Sequence, residues 1–337
     1  MSVVTALYAI RARHSGAVDA GRSRPARPAV TVAGRLAAYT DSALATLVEP
    51  VRAASIGGAS GVIDVGDVPV FVKRIPLTRR ELDHPGSTAN LFDLPLYCQY
   101  GFGGPSFNAW RELAANQIVT AAEPGLFPRL YHWRVLPGRP PSTVAGYGQA
   151  DPLVHHRLDE LATAPAGLVL FLEYVRYPLQ DWLDADPAGR ASTLEQQLAQ
   201  IVGALRQHEL LHMDGHFGNM RSDGHRIYLT DFGLATSPRF ELSAPEREFA
   251  ARHAGHDADY AAMRLVNWIV TRLRNVPVPT DGSAPVARNE YVRRCAEGDI
   301  PPGPAAAVLA RHAPAAARMN ALYRKLFGGD IHAEYGR

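Results

Sequence analysis

Apolar positions at Ala43, Leu44, Leu47, Val48 and Val51 recur with helical spacing, which predicts a helix in 40–54 capped by Asp41 or Ser42. From Ser55 to Ile75 the pattern changes to β-type runs between glycine turns, "SIGGASGVIDVGDVPVFVKRI", which predicts two or three antiparallel strands. A loop-rich stretch holding Pro76, Pro85, Pro95 and Pro105 follows. It ends at "SFNAWRELAANQIVTAA", where Ser106 can cap a helix striped by Trp110, Leu113, Ala114, Gln117 and Ile118. The run "LVLFLEYV" (168–175) reads as a buried strand. Ser192-x-x-Glu195 then forms a capping-box pattern ahead of a helix with Leu194, Leu198, Ile201, Val202 and Leu205 on one face. Past residue 235 the chain reads as helical. Ser243-x-x-Glu246 is another capping box, "YAAMRLVNWIVTRL" is an apolar helix, Pro- and Gly-rich turns fill 277–304, and an Ala-rich helix spans about 305–327. Strands, one helix, strands and then mostly helices make an α+β chain.

Composition excludes more than it selects. The 337 residues suffice for a two-part core, and a net charge of +2 gives no argument for a nucleic-acid or membrane surface. No apolar run is long enough to span a bilayer, and the N-terminus lacks an export pattern. Cys98 and Cys295 form no framework, which fits a reducing cytoplasm. The expectation is a soluble cytoplasmic protein. Residues 14–28, small, basic and rich in Gly and Pro, read as a flexible linker within an N-terminal segment 1–39.

The chemistry concentrates in "LLHMDGHFGNMRSDGHRIYLTDFGLA" (210–235). Asp214 and Asn219 lie five apart, and Asp231 opens Asp-Phe-Gly. Phosphoryl transfer asks for a carboxylate facing the attacking hydroxyl and for oxygen ligands that hold a divalent metal on the phosphates. A rival reading puts His212, Asp214 and His216 on one face of a strand as zinc ligands of a metallohydrolase. It leaves Asn219 and Asp-Phe-Gly unexplained and finds no further convincing histidine cluster, since His155-His156 and His253-x-x-His256 lie in unremarkable contexts.

His212-x-Asp214-x-x-x-x-Asn219 followed by Asp231-Phe232-Gly233 resembles the protein-kinase-like superfamily. The resemblance implies ATP and Mg²⁺, Asp214 as catalytic base, and Asn219 and Asp231 as metal ligands. It also implies a bilobal fold: a sheet-containing N-lobe with one helix (40–175, carrying an insert 76–106) and a helical C-lobe (176–337). Such a fold needs a lysine on a strand and a glutamate on a helix. In "VPVFVKRI", Val68, Val70 and Val72 share one strand face and Phe71 and Lys73 the other, so Lys73 fits the phosphate-contacting lysine. Glu112 fits its partner, with a surface glutamate on an amphipathic helix as the alternative. Gly57, Gly58 and Gly61 fit a phosphate-cradling glycine loop, with Ile56 where the family has its first glycine; a plain hairpin turn fits as well. Glu173-Tyr174-Val175 would offer backbone groups, those of Glu173 and Val175, to adenine.

The acceptor is less legible. His216, two residues after the base, is similar to the aminoglycoside and choline phosphotransferase branch, and Met213 replaces the arginine of regulated protein kinases. "TDFGLATSP" is closer to protein kinases. The insert carries Tyr97, Tyr100 and Phe102, with Phe107 just after it, and reads as a substrate lid or equally as a packed flap. The expectation is a kinase acting on a small-molecule hydroxyl, an antibiotic or metabolite. A serine/threonine protein kinase is the alternative, and a pseudokinase is disfavoured by retention of Lys73, Asp214, Asn219 and Asp231.

Overall fold

A computed structural model describes residues 29–55, 57–101, 105–121, 125–142 and 151–335. The linker expected at 14–28, Ile56 and Phe102 lie outside the described residues. The architecture is α+β, with the main antiparallel sheet in the first half and helices dominating the second around a smaller antiparallel sheet. No helix of the described residues is long and apolar enough to cross a membrane. Cys98 and Cys295 are free thiols, both buried.

The main sheet has five strands: β1 (Ala53–Ser55), β2 (Gly58–Val65), β3 (Val68–Leu77), β4 (Leu130–Pro137) and β5 (Ala166–Glu173), ordered β1-β2-β3-β5-β4 and antiparallel throughout. Strand alternation gives it two faces. Val70, Val72, Val169 and Phe171 point to one, where α1 (Ala29–Ala38) and α2 (Asp41–Val48) cover them with Leu36, Leu44 and Val48. Each fully buried leucine there contributes roughly 1.5–3 kcal/mol. Helix α2 is capped by Thr40, not by Asp41 or Ser42. Ile75, Leu77, Leu168, Leu170 and Leu172 lie on the other face, packed against Trp110 and Leu113 of α4 (Ala109–Ala121).

The insert is shorter than 76–106 at its start, because Pro76 and Leu77 still belong to β3. It contains α3 (Arg79–Asp83), and it packs against α5 (Pro152–Ala162) through Phe92, Leu94, Cys98, Phe107, Val154 and Leu158. The second half holds α6 (Leu179–Asp184), α7 (Pro187–Gln207), α8 (Ala244–Arg252), α9 (His256–Arg272), α10 (Val286–Ala296) and α11 (Ala306–Phe327). A small sheet, β6 (Tyr177–Pro178), β7 (Met220–Ser222) and β8 (Ile227–Leu229), carries the loops of interest. Helix α7 begins at Asp186, whose carboxylate accepts from Gly189 N–H, so Ser192 lies inside the helix. The Ser243–Glu246 capping box is present at the start of α8.

Candidate active site

Lys73 stands on β3 opposite Ser60 of β2, and cross-strand partners share a face. Its Nζ lies 2.6 Å from Glu112 Oε1 on α4 and 2.7 Å from Asp231 Oδ1 on the loop after β8. Three segments far apart in sequence thus converge on one ammonium group. Burial alone would lower the Lys73 pKa, but the two carboxylates outweigh it and hold the group protonated. One cation cannot serve two carboxylates equally. Burial opposes the charge on Asp231, yet contact with Lys73 wins and keeps that carboxyl below its ordinary value. Glu112 is pushed up to about 7 by burial and by Asp231, with Lys73 pulling the other way. Asp231 keeps 45 % of its side chain accessible, while the atoms crowded around it still desolvate the charge.

Asp214 and Asn219 are joined twice: Asn219 Nδ2 donates to Asp214 Oδ2 and to its carbonyl, each at 3.0 Å. Thr230 ties this loop to Asp231, since its N–H and its hydroxyl both donate to the Asn219 carbonyl at 2.8 Å. Burial and the Asp231 charge push the Asp214 carboxyl up to about 7, against the pull of the Asn219 hydrogen bond. His216 Nε2 stands 3.7 Å from Asp214 Oδ2, too far for a hydrogen bond. Burial and then Arg264 push its imidazole down to about 4, so it is neutral at pH 7. Its ring lies against Gly218, where a Cβ would come within 2.7 Å, so a side chain there would displace the ring.

His212 orients rather than ligates. It is fully buried, its Nδ1 accepts from Asp214 N–H at 3.2 Å, and its Nε2 faces the Thr230 carbonyl at 3.0 Å. Those contacts fix the neutral tautomer that carries its proton on Nε2. Burial lowers its pKa, which suits that role. Met213 takes φ 65°, a left-handed turn that Asp257 at the start of α9 supports by accepting from His212 N–H at 2.6 Å and Met213 N–H at 3.0 Å. With both ring nitrogens engaged, His212 is no zinc ligand, and the His-x-Asp-x-His metal reading falls. No group of three or more His, Cys, Asp or Glu side chains is placed to hold a metal ion among the described residues. A hard cation shared with phosphate oxygens needs fewer protein ligands. Asn219 Oδ1 and Asp231 Oδ2 have no hydrogen-bond partner among the described residues, and both are hard oxygen donors that fit Mg²⁺.

The three glycines stand in different surroundings. Gly58 has φ +114°, and a Cβ there would sit 2.0 Å from the Arg74 carbonyl oxygen, so it is a glycine because β3 approaches closely. Gly61 faces Val51, away from Lys73, and Gly57 is exposed in the β1–β2 turn. Ser60, which the glycine pattern concealed, is the β2 residue beside Lys73. At the end of β5, Glu173 exchanges backbone and side-chain bonds with Arg129. The Val175 carbonyl accepts from Arg221 Nε at 3.1 Å, while its N–H has no partner among the described residues. That donor, on a buried residue just past the end of β5, fits an adenine nitrogen.

The lid reading is also corrected. Tyr100 is buried against Phe249 and bonds His253 through its hydroxyl, and Tyr97 bonds Asp151 at 3.3 Å. The insert is a packed strap that positions α4. Glu81 accepts both Arg157 terminal nitrogens (2.8 and 3.0 Å) and the Ala109 N–H that begins α4 (2.8 Å). Sequence reasoning missed Glu81, Arg157 and Asp257; only Glu81 had a signal, the capping-box spacing Thr78-x-x-Glu81. No protein-family model matches the chain, and no curated protein matches it.

Proposed function

We propose that the chain is an ATP- and Mg²⁺-dependent phosphotransferase with the bilobal protein-kinase-like fold, moving the γ-phosphoryl group to a small-molecule hydroxyl. The observation that carries this reading is the shared ammonium: Lys73 bonded at once to Glu112 and Asp231, with Asp214 and Asn219 held beside them through Thr230. An antiparallel sheet with the Glu112 helix between its third and fourth strands, followed by a helical remainder, agrees with that family.

In this reading Asp214 takes the hydroxyl proton as the hydroxyl oxygen bonds to the γ-phosphorus and the bond to the ADP oxygen breaks. Asn219 holds the carboxylate by Oδ2, leaving Oδ1 without a protein partner among the described residues. Lys73 orients the phosphates, and the Val175 N–H faces the base. Mg²⁺ on Asn219 Oδ1 and Asp231 Oδ2 would neutralise charge on the phosphates. A small acceptor is favoured over a peptide because Thr236 and Ser237 are buried (3 % and 1 % exposed), and Thr236 is bonded through its backbone to Leu211. That segment is already fixed without phosphorylation.

Mass spectrometry after incubation with Mg-ATP and a metabolite library tests the reading. Phosphate on a small molecule is the expected result, phosphate on serine or threonine of added protein would transfer the assignment to a protein kinase, and tight nucleotide binding with no transfer would mark a pseudokinase.

A further inference from the structure

Arg264 is a cation at the edge of this site that makes no salt bridge among the described residues. It projects from α9, two turns after the Asp257 that supports the catalytic loop. Its Cζ lies 5.3 Å from the centre of the Phe217 ring, and Phe217 sits between Asp214 and Asn219 in that loop. Its Nε is buried and has no hydrogen-bond partner, and no carboxylate pairs with the guanidinium among the described residues. The charge reaches both Asp214 and His216. Arg111 and Arg157 also keep one buried nitrogen unpartnered, but they pair with Glu246 and Glu81, and Arg221 bonds the Val175 and Arg176 carbonyls.

Phe217 holds the planar group in place, and a guanidinium so held presents its terminal N–H groups as a fork that matches a carboxylate or phosphate. We infer that Arg264 is a specificity-determining residue that binds an anionic group on the acceptor, so that the substrate is a hydroxyl compound bearing a carboxylate or a phosphate. The inference rests on the phosphotransferase reading and narrows it. A cationic aminoglycoside would meet this arginine with like charge, whereas a sugar acid or a sugar phosphate would place its anion on Arg264 and its hydroxyl toward Asp214.

The test uses the full chain with Mg-ATP and matched acceptors: neutral polyols and sugars, their carboxylate forms, their phosphate forms, and aminoglycosides. ATP turnover is measured for each, and binding is measured by calorimetry with a non-hydrolysable Mg-nucleotide present. Turnover or binding confined to the anionic members is expected, the carboxylate and phosphate arms showing which anion is read. Arg264→Gln should raise the KM for that acceptor at least roughly tenfold, the scale of a hydrogen bond to a charged group. It should leave the KM for ATP and the melting temperature close to wild type, and Arg264→Lys should recover part of the loss. Equal use of neutral or cationic acceptors, an unchanged acceptor KM in Arg264→Gln, or no anionic compound binding while Mg-nucleotide still binds would each overturn the inference. Loss of Mg-nucleotide binding in the wild type would instead overturn the phosphotransferase reading.

Discussion

Arg111 and Glu246 meet at 2.6 Å with both side chains buried, and Arg111 is the residue immediately before Glu112. The pair ties α4, which carries the Lys73 partner, to the first turn of α8. Thr88 adds a carbonyl at 2.6 Å from Arg111 Nε, and the Phe107 ring lies 5.0 Å from its Cζ.

Glu246→Ala leaves that arginine buried without an anion, an arrangement that costs about 3–5 kcal/mol. Urea unfolding should show a lower midpoint, with a smaller loss for Glu246→Gln, which keeps an acceptor. Transfer activity should fall with it, because Glu112 loses its mount. A wild-type midpoint in the alanine variant would remove the pair from this role.

Asp214 should set the pH dependence. Its carboxyl is raised from 3.8 to about 7 by burial and by Asp231, so the folded protein holds that proton to higher pH than the unfolded chain does. The contribution is therefore fully favourable below the unfolded value and is lost as pH rises from about 4 through 7. Unfolding of Asp214→Asn should lack that slope, so the variant gains on the wild type across the window. Transfer needs the ionised base and should rise through the same range, and it should drop roughly 10²-fold or more in the variant. A wild-type-minus-variant difference that is flat with pH would contradict the assignment.

Lys73→Met removes the cation shared by Glu112 and Asp231. Turnover at saturating ATP should fall by roughly 10²–10³-fold, the scale for losing one fixed electrostatic contact. The two carboxylates then repel when ionised, so the drop in melting temperature should be greater at alkaline than at acid pH. A pH-independent drop would mean that the carboxylates do not share the lysine.

Asp257→Asn offers one oxygen where two N–H groups need acceptors, at His212 and Met213. The strained Met213 turn then loses support. The expected outcome is a lower kcat with Mg-ATP affinity preserved, read by steady-state kinetics beside calorimetry. Loss of affinity with kcat intact would reverse the assignment.

Activity should not depend on prior phosphorylation, because the Thr236 and Ser237 side chains are buried. Phosphatase treatment should leave the rate unchanged, and intact-mass measurement should show an unmodified active protein. An activity that appears only with phosphate on Thr230, Thr236 or Ser237 would restore the protein-kinase alternative.

The parts of this site legible in the sequence are those fixed by short spacing. Asp214, Asn219 and Asp231 are set by a loop motif, Lys73 by strand alternation, and Glu112 by its helix. The supports were not legible, because each acts on a residue far along the chain: Arg157 on Glu81 across 76 positions, Arg111 on Glu246 across 135, and Asp257 on Met213 across 44. No period links such pairs. Strand β4 escaped notice because it lies at the sheet edge and is mostly half-buried, so its polar residues mask the alternation. Helix α5, capped by Asp151, and helix α10 escaped because prolines at their starts read as breaks. Helix α1 covers the back of the sheet where only a terminal segment was expected.

The strap formed by the insert also decides how the molecule can open. A swing of the main sheet away from the helices would have to break Arg111–Glu246, the bonds from Ser87 and Thr88 to Glu241, and the contact of Gln99 with the Leu234 carbonyl. On the helical side those bonds fall at Leu234, Glu241 and Glu246, all just after Asp-Phe-Gly, so hinge bending would pull on the segment that carries Asp231. The β1–β2 hairpin moves with the main sheet, since β2 is held to β3 along seven residue pairs and buries Ala59, Ile63 and Val65 in the core beneath α1 and α2.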